Sequence, residues 1–130
     1  MFDNQEPGDE QEILNCLAHV RPGGNFRPAF PLMSKTDVNG RYEHALWTWL
    51  KRMCPLPTSF QYGAIRWSPV SAHDIGWNFE KFLFDRDGMP CKRYDSEVPA
   101  AALHNDIQVV LGGRCPQEPT LCATSGATRL

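Results

Sequence analysis

A mixed α/β or α+β fold, opening on a helix and built as one domain, is what the sequence predicts. Three observations carry that reading. Apolar residues recur at helical spacing in three separate segments. An aromatic run ending in Asp85-Arg86-Asp87-Gly88 reads as the first half of a hairpin. A chain of 130 residues is the size of a single domain.

The elements follow in order. Asp9 and Glu12 have the spacing of a capping box, although that box prefers Ser or Thr at its first position. They start a helix whose Ile13, Cys16, Leu17 and Val20 form one stripe. Arg21-Pro22-Gly23-Gly24 ends it, because Pro22 has no N–H for the ladder and disfavours helix at Arg21. Phe30 to Ser34 reads as a short strand, confined by Pro31 to an edge or a strand start. Asp37-Val38-Asn39-Gly40 is a turn. Tyr42 to Cys54 is the clearest helix, with Tyr42, Ala45, Leu46, Trp49, Leu50 and Met53 on one face and Pro55 and Pro57 stopping it. Trp77 to Phe84 reads as a buried strand, and Cys91 to Tyr94 returns as its hairpin partner, with Lys81 and Arg93 as charges on the hairpin face. Leu103, Ile107, Val110 and Leu111 mark a last helix, ended by Gly112-Gly113. Residues 1–112 are read as the domain and 113–130 as a disordered tail, since its Pro, Thr and Ser carry no period. A helix-first order with one hairpin leaves little sheet for three helices, so a segment in front of it is expected.

Composition excludes several classes. A formal net charge of −2 gives no field that draws the chain to nucleic acid or to an anionic membrane. No apolar run is long enough to cross a bilayer. The acidic opening MFDNQEPGDEQE reads as neither a secretory signal nor a mitochondrial presequence. The five cysteines are odd in number and contain no C-x-x-C pair, and the four histidines are scattered, so no metal site is expected. The same count argues against a disulfide scaffold, leaving the thiols as small buried or surface residues.

Four blocks stand out together: Asn4-Gln5-Glu6-Pro7-Gly8, Val20-Arg21-Pro22-Gly23-Gly24, Asp37-Val38-Asn39-Gly40 and Trp77-Asn78-Phe79-Glu80-Lys81-Phe82-Leu83. In order and separation they resemble the glutathione peroxidases, from about Phe2 to Leu111. Asp87-Gly88 and Lys92-Arg93-Tyr94 follow in register. Arg21-Pro22-Gly23-Gly24 and the loop holding Trp67-Ser68-Pro69-Val70 resemble the tetrameric branch. Gln5-Glu6-Pro7-Gly8 and His73-Asp74-Ile75 lean toward its plasma-type members.

The resemblance implies a thioredoxin-like fold, truncated at its N-terminal side, that reduces hydroperoxides with thiols in the response to oxidative stress. It implies glutathione or another thiol as reducing co-substrate, no bound cofactor, and a homo-oligomer as the assembly. The compartment stays open between cytoplasm and, for a full-length plasma-type form, secretion. Such a reaction needs a selenocysteine or cysteine of lowered pKa, which attacks the peroxide and is then regenerated by thiols. In the family a Gln, a Trp and an Asn surround that nucleophile. Trp77 and Asn78 fall on the Trp and Asn, Met1 stands where the Gln would be, and the nucleophile lies upstream. Without the family context, Trp77 reads as core and Asn78 as a side chain satisfying backbone groups, in preference to a site. Arg21 matches a basic residue that contacts the thiol substrate, or is simply a cation favourable at a helix end. Cys16 lies in the helix that carries a resolving cysteine in two-cysteine members, but off the matching position. Cations that anchor glutathione fall here on Asp9, Ser96 and Glu97, which implies weak glutathione binding. The sequence therefore predicts a peroxidase by family whose residues 1–130 are inactive and unstable alone. The alternative is a catalytically dead relative serving as a binding or interaction subunit.

Overall fold

The computed structural model describes residues 6–55, 65–116 and 122. Met1, Pro57 and most of 113–130 lie outside that set. The chain divides into two compact units, Met1–Asp37 and Val38–Leu130.

The first unit holds α1, Glu10–His19. The capping box forms as the spacing predicts: Asp9 Oδ1 accepts from Glu12 N and the Glu12 carboxylate accepts from Asp9 N, both at 2.8 Å. Aspartate thus serves where Ser or Thr is commoner, because any side-chain oxygen at that reach satisfies the orphan N–H. At the other end Val20 N and Arg21 N both donate to Cys16 O at 2.9 Å, and Gly23, at φ 76°, turns the chain away. None of the residues of α1 is buried. Phe30 to Ser34 is irregular and exposed rather than a strand, since no neighbouring strand supplies a ladder among the described residues. Lys35 instead caps the chain before α1, its Nζ donating to the carbonyls of Glu6 and Gly8.

The second unit carries α2 (Ala45–Met53), β1 (Lys81–Phe84), β2 (Pro90–Tyr94), a 3-10 turn (Ala100–Leu103) and α3 (His104–Leu111). In α2 the His44 side chain caps the start by accepting from Leu46 N at 3.2 Å. Tyr42 lies outside the helix and is exposed, and the stripe buries Leu50. Trp47 packs edge-on against Phe82 with centroids 6.0 Å apart.

β1 and β2 are antiparallel, pairing Lys81 with Tyr94, Phe82 with Arg93 and Leu83 with Lys92. The register slips between Leu83 and Phe84, where the bulge feeds the Asp85–Gly88 turn. The sheet has only these two strands among the described residues. The strand expected from Trp77 begins at Lys81, because Trp77, Asn78 and Phe79 form a turn instead. Every residue of β2 is buried, whereas β1 is only partly covered.

The core is small and mixed: Leu50, Ile75, Tyr94, Leu103 and Val110 share it with Asn39, Lys51, Asp74, Lys92 and Arg93. Disulfides join Cys54 to Cys122 and Cys91 to Cys115, so four of the five cysteines read as thiols are paired. The sequence offered no spacing from which to see these pairs, since they close loops of 68 and 24 residues. Cys16 remains a free, exposed thiol.

Candidate functional site

The Trp77–Asn78 turn is held in the second unit by two side chains that the sequence reading treated as a turn residue and a surface charge. The first is Asn39. Its Nδ2 donates to Ile75 O and its Oδ1 accepts from Ile75 N, both at 2.8 Å. This two-way clasp copies a strand pairing and satisfies both polar groups of a buried backbone unit. Gly40 is required next to it. At φ 81° it occupies the left-handed region, and a Cβ there would stand 3.0 Å from Trp67 Cβ.

The second is Arg93, which is 2 % exposed and so is not a hairpin-face charge. Its Nε donates to Glu80 Oε2 at 2.7 Å, with Nη2 2.6 Å from the same oxygen. Nη1 reaches the carbonyls of His73, at 2.9 Å, and Cys54, at 3.3 Å, while Nη2 reaches that of Asp74 at 2.9 Å. The other Glu80 oxygen accepts from Gly76 N. One guanidinium thus ties both limbs of the turn, residues 73–74 before it and Glu80 after it. A fixed fork of five donors suits that task as a lysine could not. Lys81, also read as a face charge, sends its Nζ to the carbonyls of Asp95, Ser96 and Val98.

Beneath the turn lies a buried ionic cluster. Lys51 Nζ donates to Asp74 Oδ1 at 2.7 Å, to Asn39 Oδ1 at 3.3 Å and to the Glu43 carboxylate. Asp74 Oδ2 accepts from the Trp67 indole and from Ser71 N, each at 2.8 Å. Burial pushes the Asp74 carboxyl upward, but the bonds from Lys51, Ser71 and Trp67 outweigh it and hold the group below the usual carboxylate range. A second cluster joins β2 to α3, where Asp106 Oδ2 accepts from Lys92 at 2.8 Å and from the Tyr94 hydroxyl at 2.7 Å. The Lys92 bond, then the Tyr94 bond, lowers Asp106, while burial followed by the bond to Asp106 raises the Tyr94 phenol.

On this scaffold Trp77 and Asn78 are adjacent and half-buried. Phe79 follows at φ 63° and is 83 % exposed, an unusual state for an aromatic residue. Arg21 belongs to the first unit and is exposed just past α1. A cleft of about 470 Å³ opens beside Lys51, Arg52, Ser71, His73 and Asp74, and neither Trp77 nor Asn78 lines it. In the second unit all four cysteines are in disulfides, so no free thiol of that unit accompanies Trp77.

The turn thus sets an indole and a carboxamide next to each other in the chain, on a backbone pinned by Asn39 and Arg93. The class this defines is a partial thioredoxin-like domain of mixed helices and a small sheet. A solved structure described as Trgpx in apo form matches 72 % of this chain and 55 % of its own, with a TM-score of 0.52 and 29 % identity.

The sequence comparisons then find similar proteins. The glutathione peroxidase pattern matches residues 1–51. The chain is 46 % identical over 112 residues to the epididymal secretory glutathione peroxidase of Sus scrofa, covering 85 % of this chain and 51 % of that protein. It is 44 % identical over 120 residues to glutathione peroxidase 3 of Bos taurus, covering 90 % and 53 %. It is 43 % identical over 126 residues to glutathione peroxidase 1 of Rattus norvegicus, covering 91 % and 61 %. The chain is similar to glutathione peroxidases along most of its own length, and it spans about half the length of the curated relatives it matches. Those relatives carry differently numbered glutathione peroxidase names at similar identity, so the branch is not separated by them.

Proposed function

We propose that residues 1–130 form the supporting half of a thiol-dependent hydroperoxide reductase. In this reading Trp77 and Asn78 donate hydrogen bonds to a selenolate or thiolate supplied from outside this sequence, and Arg21 contacts the thiol substrate. The observation that carries the reading is the Trp77–Asn78 turn, pinned by Asn39 and by the buried Arg93–Glu80 pair. Donors held that firmly stabilise a developing anion without reorganising, which is what peroxide cleavage asks of them.

The finer assignment is the plasma-type, secreted branch, with a homo-oligomer as the working assembly. The Trp67–Val70 loop supports the oligomeric branch, Gln5–Gly8 and His73–Ile75 support the plasma type, and the two disulfides suit an oxidising compartment. The division into a domain over 1–112 and a tail over 113–130 is kept as part of the same proposal.

The test is a coupled assay of hydroperoxide and thiol on two proteins. One is the purified 130-residue chain, which should show no turnover. The other is the same chain joined to the nucleophile-bearing upstream segment of a glutathione peroxidase, which should turn over. In that joined protein Trp77→Phe and Asn78→Ala should each lower kcat by at least about tenfold, the scale of losing one anion-directed donor. Steady turnover by the chain alone, or a joined enzyme indifferent to both substitutions, would refute the proposal.

A further inference from the structure

We propose that Asp85, Cys91 and Cys115 form a binding site for a zinc-like divalent ion when the Cys91–Cys115 bond is reduced. The donor atoms of these residues lie within 4.8 Å of one another, and each comes from a different element. In a tetrahedral zinc site, bonds of about 2.0–2.3 Å place neighbouring donors roughly 3.3–3.8 Å apart. Opening the disulfide lets both sulfurs swing out to that separation by side-chain rotation alone. Two thiolates and a carboxylate favour zinc over calcium or magnesium, and three protein ligands leave a fourth position for water.

The ligands stay in place without the sulfur–sulfur bond. Asp85 opens the hairpin turn, with its N–H on Met89 O at 2.8 Å. Its Oδ1 accepts from Asp87 N at 2.9 Å and Met89 N at 2.8 Å, which fixes the carboxylate and leaves Oδ2 for a metal. Cys91 is one residue into buried β2. Cys115 follows α3 through a wound turn in which Gly113 N donates to Val110 O and Arg114 N to Val109 O. Arg86 Nη2 donates to Leu111 O at 2.6 Å, holding the hairpin tip to the end of α3 independently of the cysteines. The Lys92–Asp106 and Tyr94–Asp106 contacts make the same connection further along β2.

The chemistry balances simply. A phosphine gives two electrons to the disulfide while one water supplies the two thiol protons and the oxygen of the phosphine oxide, or a dithiol gives two electrons and its own two protons and leaves as a cyclic disulfide. Metal binding then displaces those two thiol protons. Disulfide and metal are therefore exclusive uses of the same pair of sulfurs.

The experiment titrates cobalt(II) into the full chain, reduced by a phosphine without oxygen. One equivalent should bring up the near-ultraviolet charge-transfer band of cobalt thiolates. The band should survive in Cys54→Ser/Cys122→Ser, vanish in Cys115→Ser, and need at least about tenfold more cobalt in Asp85→Asn, whose amide oxygen still closes the turn. In the unsubstituted chain, zinc should shield Cys91 and Cys115 from alkylation while Cys54 and Cys122 react. No band in the reduced chain, equal binding by the oxidised chain, or shielding of Cys54 and Cys122 instead would overturn the proposal.

Discussion

Replacing Arg93 by methionine removes the one cation that ties both limbs of the Trp77–Asn78 turn. The substitution roughly conserves the apolar stem but leaves the Glu80 carboxylate, itself 4 % exposed, as a buried charge without its partner. It also leaves the carbonyls of Cys54, His73 and Asp74 without their donor. Breaking a buried ion pair from one side costs about 3–5 kcal/mol, mostly through the stranded charge. A small domain holds only about 5–15 kcal/mol in total. With a urea slope of about 1–3 kcal/mol per molar, the unfolding midpoint should fall by at least about 1 M. The second substitution identifies the cause. Glu80→Gln in the same chain removes the stranded charge, so the double variant should recover about 1–3 kcal/mol relative to the sum of the singles. Urea titration followed by circular dichroism on the four proteins measures both quantities. A midpoint shift under about 0.3 M for Arg93→Met, or strict additivity in the cycle, would show that the guanidinium is not what holds the turn.

Asn39→Ala should cost about 1–3 kcal/mol, and hydrogen exchange should show Ile75 N–H losing protection before its neighbours do. At low pH the lowered carboxyls of Asp74 and Asp106 contribute stability that is complete above the ordinary aspartate range near pH 4. That part is lost as pH falls toward their depressed values, and Asp106→Asn should flatten the slope. At high pH the raised Tyr94 phenol keeps its proton in the folded chain while the unfolded one releases it near pH 10. Stability should therefore fall above about pH 10, less steeply in Tyr94→Phe. In the joined enzyme Ser96→Arg/Glu97→Arg should lower the KM for glutathione by about tenfold, the value of one regained charge-assisted bond; an unchanged KM would separate these positions from thiol binding.

Much of the local structure was legible in the residues. The Asp9–Glu12 box, the α2 stripe and the Asp85–Gly88 hairpin are short-range patterns, and short-range bonds realise them. Long-range partners were not legible. Asn39 looked like one more turn residue because its clasp on Ile75 spans 36 positions. Arg93 looked like a surface charge because its burial depends on Glu80, which lies across the hairpin turn. The run of aromatics from Trp77 to Phe84 suggested a continuous strand, yet Phe79 takes a left-handed conformation that a strand excludes. Periodicity reports which face is apolar, and it carries no information on backbone handedness at a single position. The Asp37–Gly40 block does come near the Trp77–Leu83 block, since Asn39 clasps Ile75 two residues before Trp77.

The ten residues of α1 bury no side chain. Isolated helices of that length sit at the margin of formation in water, because nucleation is costly and few hydrogen bonds follow it. What order α1 has on its own account is lent by its two ends, chiefly Asp9 and Glu12. On warming, this segment should unwind gradually and ahead of the hairpin and α3, so ellipticity would drift before any cooperative step begins. A melting curve read at a single helical wavelength would then mix two events, and aromatic fluorescence would be the cleaner thermometer for the part of the chain that carries Trp77.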